Sequence, residues 1–363
     1  MTRRILIFIL VALFLYIANA FLSPYPKKNV PQGFRPQYGT SYSFEQASWY
    51  GYDGREEFVN LLDEVKFSWV RLPFFWDYMT GDDGEFNKNF DDLEFAVNEA
   101  QKRNVKVIVA LGLKVPYYPE YHLPAAIGGQ IKFGTKIGLG HPVADDVIAI
   151  NKRVVERLSK YENISYWQIE NEPYLANVNN WKIGQDLISA EISAVRDADP
   201  EHRPIILNHV GPAIFDREWT GLLNLMEKGD AFSANAYFKT QGVHLFAFSL
   251  LGREFRVPWP KFLVWPVQSW YGFSPNFNAL DKKVKESGKS FWVLEMQSEP
   301  YIRDLNDAKS ENNYFKAQDV ARAAEYLKSN RVENVGFWGA NYWIYRHKIG
   351  DSSWINAVRS IVN

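Results

Sequence analysis

Residues 164–173 read ISYWQIENEP, an apolar run that closes on two acids, an amide and a proline. The β-branched and aromatic residues Ile164, Tyr166, Trp167 and Ile169 favour a strand, and Pro173, which has no N–H to give a ladder, marks its end. With a period of two, Gln168, Glu170 and Glu172 share one face, and Glu172 stands where the strand stops.

Outward from this segment the same pattern recurs. YGTSYS (38–43), FSWVRLPFFW (67–76) and VKVIVALGL (105–113) precede it; PIILNHV (204–210), AFSANAYF (231–238), SFWVLEMQ (290–297) and NVGFWGANYW (334–343) follow. A helical pattern trails each run. Phe58, Leu61, Leu62 and Val65 recur at i, i+3, i+4 and i+7, helices are expected near 89–103, 144–160 and 180–198, and Val320, Ala323, Ala324 and Leu327 form the clearest late stripe. Eight alternating strand–helix units imply parallel strands joined by crossover helices, an α/β chain closed as a (β/α)8 TIM barrel over residues 38–363. Long loops follow the third strand (Gly-rich, 114–143) and the sixth (239–275, with Trp259, Trp265, Trp270 and Tyr271). The second of these is expected in the substrate cleft or on a membrane-facing side.

Composition narrows the function. The chain has 363 residues, 47% hydrophobic, which suits one large domain. Lys and Arg number 41 against 42 Asp and Glu, so no broad positive field favours nucleic acid. With no cysteine, disulfides, thiolate nucleophiles and Cys-based zinc sites are excluded. The six histidines show no ligand spacing such as HExxH, so no metal is implied, and no cofactor either.

At the amino terminus, MTRR leads into ILIFILVALFLYI and then Ala18-Asn19-Ala20. A basic start, an apolar stretch and a small-x-small triplet describe a secretory signal peptide. Residues 5–22 also approach the ~17–25 residues of a membrane span, so the alternative is an uncleaved anchor that tethers the domain. Either way residues 1–22 export the chain to the outside or the periplasm, and the Pro-rich stretch 23–37 reads as a linker.

The chemistry follows from two carboxylates. Glu295 ends the seventh strand as Glu172 ends the fourth, and those strands lie across a barrel from one another. Paired carboxylates at a cleft are what glycoside hydrolysis requires: one acid to protonate the leaving oxygen and one carboxylate to attack or to activate water. Glu170 is expected as a buried partner of a lumen cation such as Arg71, and Glu299 as a loop or cap residue. His209 and His122 fall near the mouth, where they are candidates to touch substrate.

With these residues in view, the chain resembles the clan A glycoside hydrolases, whose barrels carry Asn-Glu, often followed by Pro, at the end of strand four and a Glu at the end of strand seven; here these are Asn171-Glu172-Pro173 and Glu295. The resemblance covers nearly all of residues 38–363. It implies a retaining β-glycosidase with Glu172 as acid/base, Glu295 as nucleophile and Asn171 bonded to the sugar 2-hydroxyl. It further implies that Arg71 and Tyr237 support the nucleophile, and that Trp338 or Trp343 is the sugar platform. Cellulase-like members often have His two residues before that Tyr, where this chain has Asn235. The implied partner is a polysaccharide or oligosaccharide. Transglycosylation by the same two acids and a non-catalytic carbohydrate-binding barrel are the alternatives. A Schiff-base enzyme would have to use Lys114, the one tempting lysine after a strand.

Overall fold

The computed structural model describes residues 7–12, 14, 33–176, 179–211, 217–240, 244–250, 253–258, 265–266, 276–311 and 314–363. Eight strands close into one barrel: β1 (Gln37–Ser41), β2 (Trp69–Pro73), β3 (Lys106–Leu111), β4 (Ile164–Ile169), β5 (Ile205–His209), β6 (Ala231–Ala234), β7 (Ser290–Gln297) and β8 (Asn334–Trp338). Each pairs in parallel with its sequence neighbours, and β8 pairs with β1. The barrel read from the sequence is the barrel found.

The helices form the outer ring: α1 (Phe44–Tyr50), α2 (Gly54–Glu64), α3 (Phe90–Lys102), α4 (Val143–Leu158), α5 (Gln185–Ala198), α6 (Arg217–Asn224), α7 (Phe277–Glu286), α8 (Ala317–Ser329), α9 (Ala340–Lys348) and α10 (Ser353–Val362). Their starts follow local chemistry. The Asp53 carboxylate accepts the N–H groups of Arg55 and Glu56 at the head of α2, and Ser43 accepts that of Gln46 in α1. Phe58, Leu61 and Leu62 then face the barrel. The helix expected from about residue 180 begins at Gln185, because Lys182–Ile183 pairs as a short strand with Lys136–Ile137.

Period two sorts side chains between two cores. Val70, Leu72, Val107, Val109, Trp167, Ile169, Phe291 and Val293 point outward into the helix layer. Trp69, Ile108, Ile206, Ala231, Trp292 and Leu294 fill the lumen, with Trp69 and Trp292 centroids 5.3 Å apart. A Cβ on Gly39 would lie 2.1 Å from the Trp69 indole, and one on Gly336 would lie 2.5 Å from it, so only glycine lets β1 and β8 close over that ring. Above this plug the lumen turns polar, with Ser41, Arg71, Gln168, Asn208 and Ser233 all buried.

Residues 7–12 are helical; among the described residues no helix is long and apolar enough to cross a membrane. Most of the proposed leader, its Ala18–Ala20 triplet and the linker from 23 to 32 lie outside the described residues, as do Trp259, Trp270 and Tyr271. Within 239–275 the described backbone forms an antiparallel hairpin of His244–Leu250 with Arg253–Pro258 and a short pairing of Lys239–Thr240 with Trp265–Pro266.

Candidate active site

The site begins where two strands depart from regular geometry. On β7, Trp292 and Leu294 face the lumen, so strict alternation would turn Glu295 outward. A bulge prevents this: Leu294 and Glu295 together oppose Gly336, between the pairs Val293–Val335 and Met296–Phe337. The extra residue aims Glu295 into the barrel mouth. There the Arg71 guanidinium donates to its Oε1 at 2.8 Å and the Tyr237 hydroxyl to its Oε2 at 2.8 Å. Arg71 is held in turn by Ser41 Oγ (2.8 Å) and Gln168 Oε1 (3.4 Å). Burial, and next the charges of Glu295 and Glu172, push the Tyr237 hydroxyl well above its usual range, so it stays a donor.

On β4 the ladder stops at Ile169, and Glu170 and Glu172 both take left-handed backbone, φ +54° and +47°. These turns break the expected common face. Glu172 reaches the mouth, where Asn235 Nδ2 donates to its Oε1 at 2.7 Å. Burial, then the Glu295 charge, raise its affinity for a proton to a pKa of about 8; the Lys114 ammonium and the Asn235 amide pull the other way. Asn171 sits beside it with Oδ1 accepting from Asn208 (2.8 Å) and Gln168 (3.2 Å), which leaves its NH2 as the outward donor.

Glu170 corrects one expectation, for Arg71 pairs with Glu295 and not with it. Its carboxylate leaves the lumen and accepts the backbone N–H groups of Leu113 (2.8 Å) and Lys114 (2.7 Å). Gly112 makes room, since a Cβ there would lie 2.6 Å from that carboxyl. Behind it stands Glu191 of α5, fully buried, its Oε1 accepting Asn151 Nδ2 at 3.0 Å. Glu191 Oε2 has no donor of its own, and a proton carried by Glu191 and given to Glu170 satisfies both acids. Burial, followed by the Glu170 charge, pushes Glu191 well above the carboxylate range; burial also raises Glu170 to about 7.

These raised values set the sign of a stability effect. The folded chain holds protons that the unfolded chain releases above about pH 4.5, so the stability present below that pH is lost as pH rises through the folded values. Glu191→Gln, whose amide donates to Glu170 without titrating, is expected to stabilise the fold at pH 8 by on the order of 1 kcal/mol or more, and by little at pH 4.5. Melting curves of both proteins across pH 4.5–8.5 check this; parallel curves would remove the shared proton.

Other expected residues are placed as follows. Trp338 is half-buried at the mouth, 5.6 Å from the Arg71 guanidinium. Trp343 is corrected: it is fully buried in α9, its indole N–H bonded to Ser298 O at 2.8 Å, and it offers no face to a sugar. His209 falls on the outward face of β5; its Nδ1 lies 3.0 Å from Gly211 O, and its carbonyl holds the Asn235 N–H. Asn208, one residue earlier, is the lumen-facing one: its Oδ1 also accepts the Glu172 N–H at 2.8 Å. Period two along PIILNHV carries that signal. His122 is buried against Phe75 (3.9 Å) with Nδ1 3.1 Å from Asp77.

Two further residues join the site. Lys114 is no Schiff-base candidate, because its ammonium is buried and spent on the carbonyls of Glu172 (2.8 Å) and Leu175 (2.9 Å) and on Glu120 (3.1 Å). Glu299 lies at the mouth, where the Trp338 indole bonds its carboxyl; burial raises it to about 8, with the Glu295 charge adding to the effect.

A parallel eightfold barrel with two carboxyls at its mouth, one gripped by an arginine and a tyrosine and one whose proton affinity is raised, has the groups that glycoside hydrolysis uses. Residues 31–248 match the cellulase family, glycosyl hydrolase family 5, and the chain belongs to that family and is a retaining glycoside hydrolase. Solved structures share the fold at low identity. Cel5A of Thermotoga maritima, solved with mannotriose, is 16% identical over 90% of this chain and 97% of its own, with a TM-score of 0.55. A family 5 lichenase from Caldicellulosiruptor sp. F32 gives 15%, 93%, 99% and 0.56. A GH5_18 protein from Streptomyces cattleya, solved with GlcNAc, gives 13%, 84%, 70% and 0.56. No curated protein sequence matches the chain significantly.

Proposed function

We propose that the protein hydrolyses β-linked polysaccharides or oligosaccharides by double displacement, with Glu295 as nucleophile and Glu172 as general acid and then base. The observation that carries this reading is the contrast between the two carboxyls: Glu295 is fixed by the cation Arg71 and the donor Tyr237, while Glu172 has no cation at its carboxylate oxygens among the described residues and is raised to about 8. Because Asn235 donates to Oε1 of Glu172, the proton belongs on Oε2, from which it passes to the leaving oxygen. Glu295 then bonds the anomeric carbon. Asn171, its NH2 turned outward, is suited to a 2-hydroxyl whose hydrogen bond strengthens as the ring approaches an oxocarbenium ion. In the second step water gives its proton to Glu172 and displaces Glu295.

The mannotriose in the Cel5A structure and the description of the Caldicellulosiruptor protein as a lichenase make mannans and β-glucans the first candidates. The basic, apolar and small-residue amino terminus supports an exported enzyme. Aryl β-glucosides and β-mannosides, β-glucan and mannan, with the first product anomer followed by proton NMR, form the test. A β anomer appearing first is the expected result; an α anomer first, or no cleavage of any of these substrates, would contradict the reading.

A further inference from the structure

Tyr117, in the loop after β3, has φ +83°, a conformation that a residue with a side chain rarely takes without compensation. The compensation here is contact with the ends of β8 and β2 and with the head of α9. Its ring lies 4.6 Å from the indole of Trp338, the last residue of β8, and is edge-on to Phe75, after β2, at 6.4 Å. Its hydroxyl donates to Asn341 Oδ1 at 3.2 Å. Asn341 is itself immobilised: Oδ1 also accepts the Ser43 N–H (3.1 Å), and Nδ2 donates to Ser43 O (2.8 Å) and to the Tyr52 hydroxyl (2.9 Å). The tyrosine therefore bridges the ends of β8, β1, β2 and β3.

The direction of the substrate follows from the catalytic pair. The leaving group sits at Glu172, just beyond the end of β4, so the sugar whose anomeric carbon faces Glu295 extends away from β4, toward Arg71 on β2 and Trp338 on β8. That is the side Tyr117 crosses. Glu299 supplies a polar group there, since its carboxyl is bonded to the Trp338 indole and is half-buried. A carboxyl in that place can accept hydrogen bonds from the hydroxyls of the sugar that lies there.

We infer that Tyr117 walls off the non-reducing side of the site, so that the enzyme accommodates one terminal sugar there and removes monosaccharides from chain ends. This rests on the glycosidase reading above. The inference concerns the action pattern and leaves the identity of the sugar to the pocket's hydroxyl contacts.

The test uses β-1,4-gluco- and manno-oligosaccharides of three to six units labelled at the reducing end. Wild-type protein is expected to release monosaccharide first, leaving a labelled product one unit shorter. Tyr117→Gly removes the ring at a backbone angle glycine prefers, so the fold is retained, and disaccharide release should rise at least tenfold relative to monosaccharide release. Tyr117→Phe keeps the ring and should keep the wild-type pattern. Disaccharide or longer first products from wild-type protein, or an unchanged pattern in Tyr117→Gly, would overturn the inference. Failure to cleave any oligosaccharide would count against the hydrolase reading; calorimetry with cellobiose and mannobiose then decides the wall, since equal affinity for wild-type and Tyr117→Gly protein overturns it.

Discussion

Glu295→Gln is expected to lower kcat by about 10,000-fold or more, because no other carboxyl can form the glycosyl-enzyme at that position. The same change should lower stability. Arg71 is fully buried, and with Glu295 neutral its remaining side-chain hydrogen-bond partners, Ser41 and Gln168, carry no charge. Leaving a buried ion without its partner costs about 3–5 kcal/mol. The two effects separate by experiment: a melting curve reads the second, and kcat well below the melting temperature reads the first. Near wild-type turnover in a folded variant would remove Glu295 from the chemistry.

Replacing the other carboxyl should give a different signature. Glu172→Ala is expected to reduce kcat/KM by about 100- to 10,000-fold on substrates with poor leaving groups, the range general acid catalysis contributes. On dinitrophenyl glycosides, whose leaving group needs no proton, the first step should be nearly restored. Since burial and Glu295 hold the Glu172 proton up to about pH 8, wild-type activity on poor leaving groups should fall as pH rises through that value. In Glu172→Ala that limb should vanish. A limb that persists in the variant would move the acid role to another raised carboxyl, Glu170 or Glu299.

Much of this was legible in the chain because a barrel obeys one simple periodicity. Arg71 follows Trp69 by two, Tyr237 follows Asn235 by two, and both pairs reach the lumen as alternation requires. Where local geometry breaks the period, reading from the pattern fails. Glu170 and Glu172 take positive φ, which nothing in ENEP announces, and the turn sends Glu170 out to Glu191 on α5. The bulge at Leu294–Glu295 is equally silent, for strict alternation with Trp292 and Leu294 would turn Glu295 away from the mouth where it meets Arg71. Trp338 and Trp343 could not be separated because α9 starts at Ala340, between them, and changes the period from two to that of a helix. Tyr117 was missed altogether, since its partner Asn341 lies 224 residues away and the contact is made only when the barrel closes.

The most direct test of the account is to trap its covalent intermediate. The protein is incubated with 2-deoxy-2-fluoro-β-glucosyl and β-mannosyl fluorides, whose fluorine slows turnover of the glycosyl-enzyme, and peptides are then mapped by mass spectrometry. The account predicts one fluorosugar per chain, attached to Glu295 in SFWVLEMQ. A label on Glu172, Glu170 or Glu299, or an enzyme that consumes the fluorides with inversion and is never labelled, would contradict it.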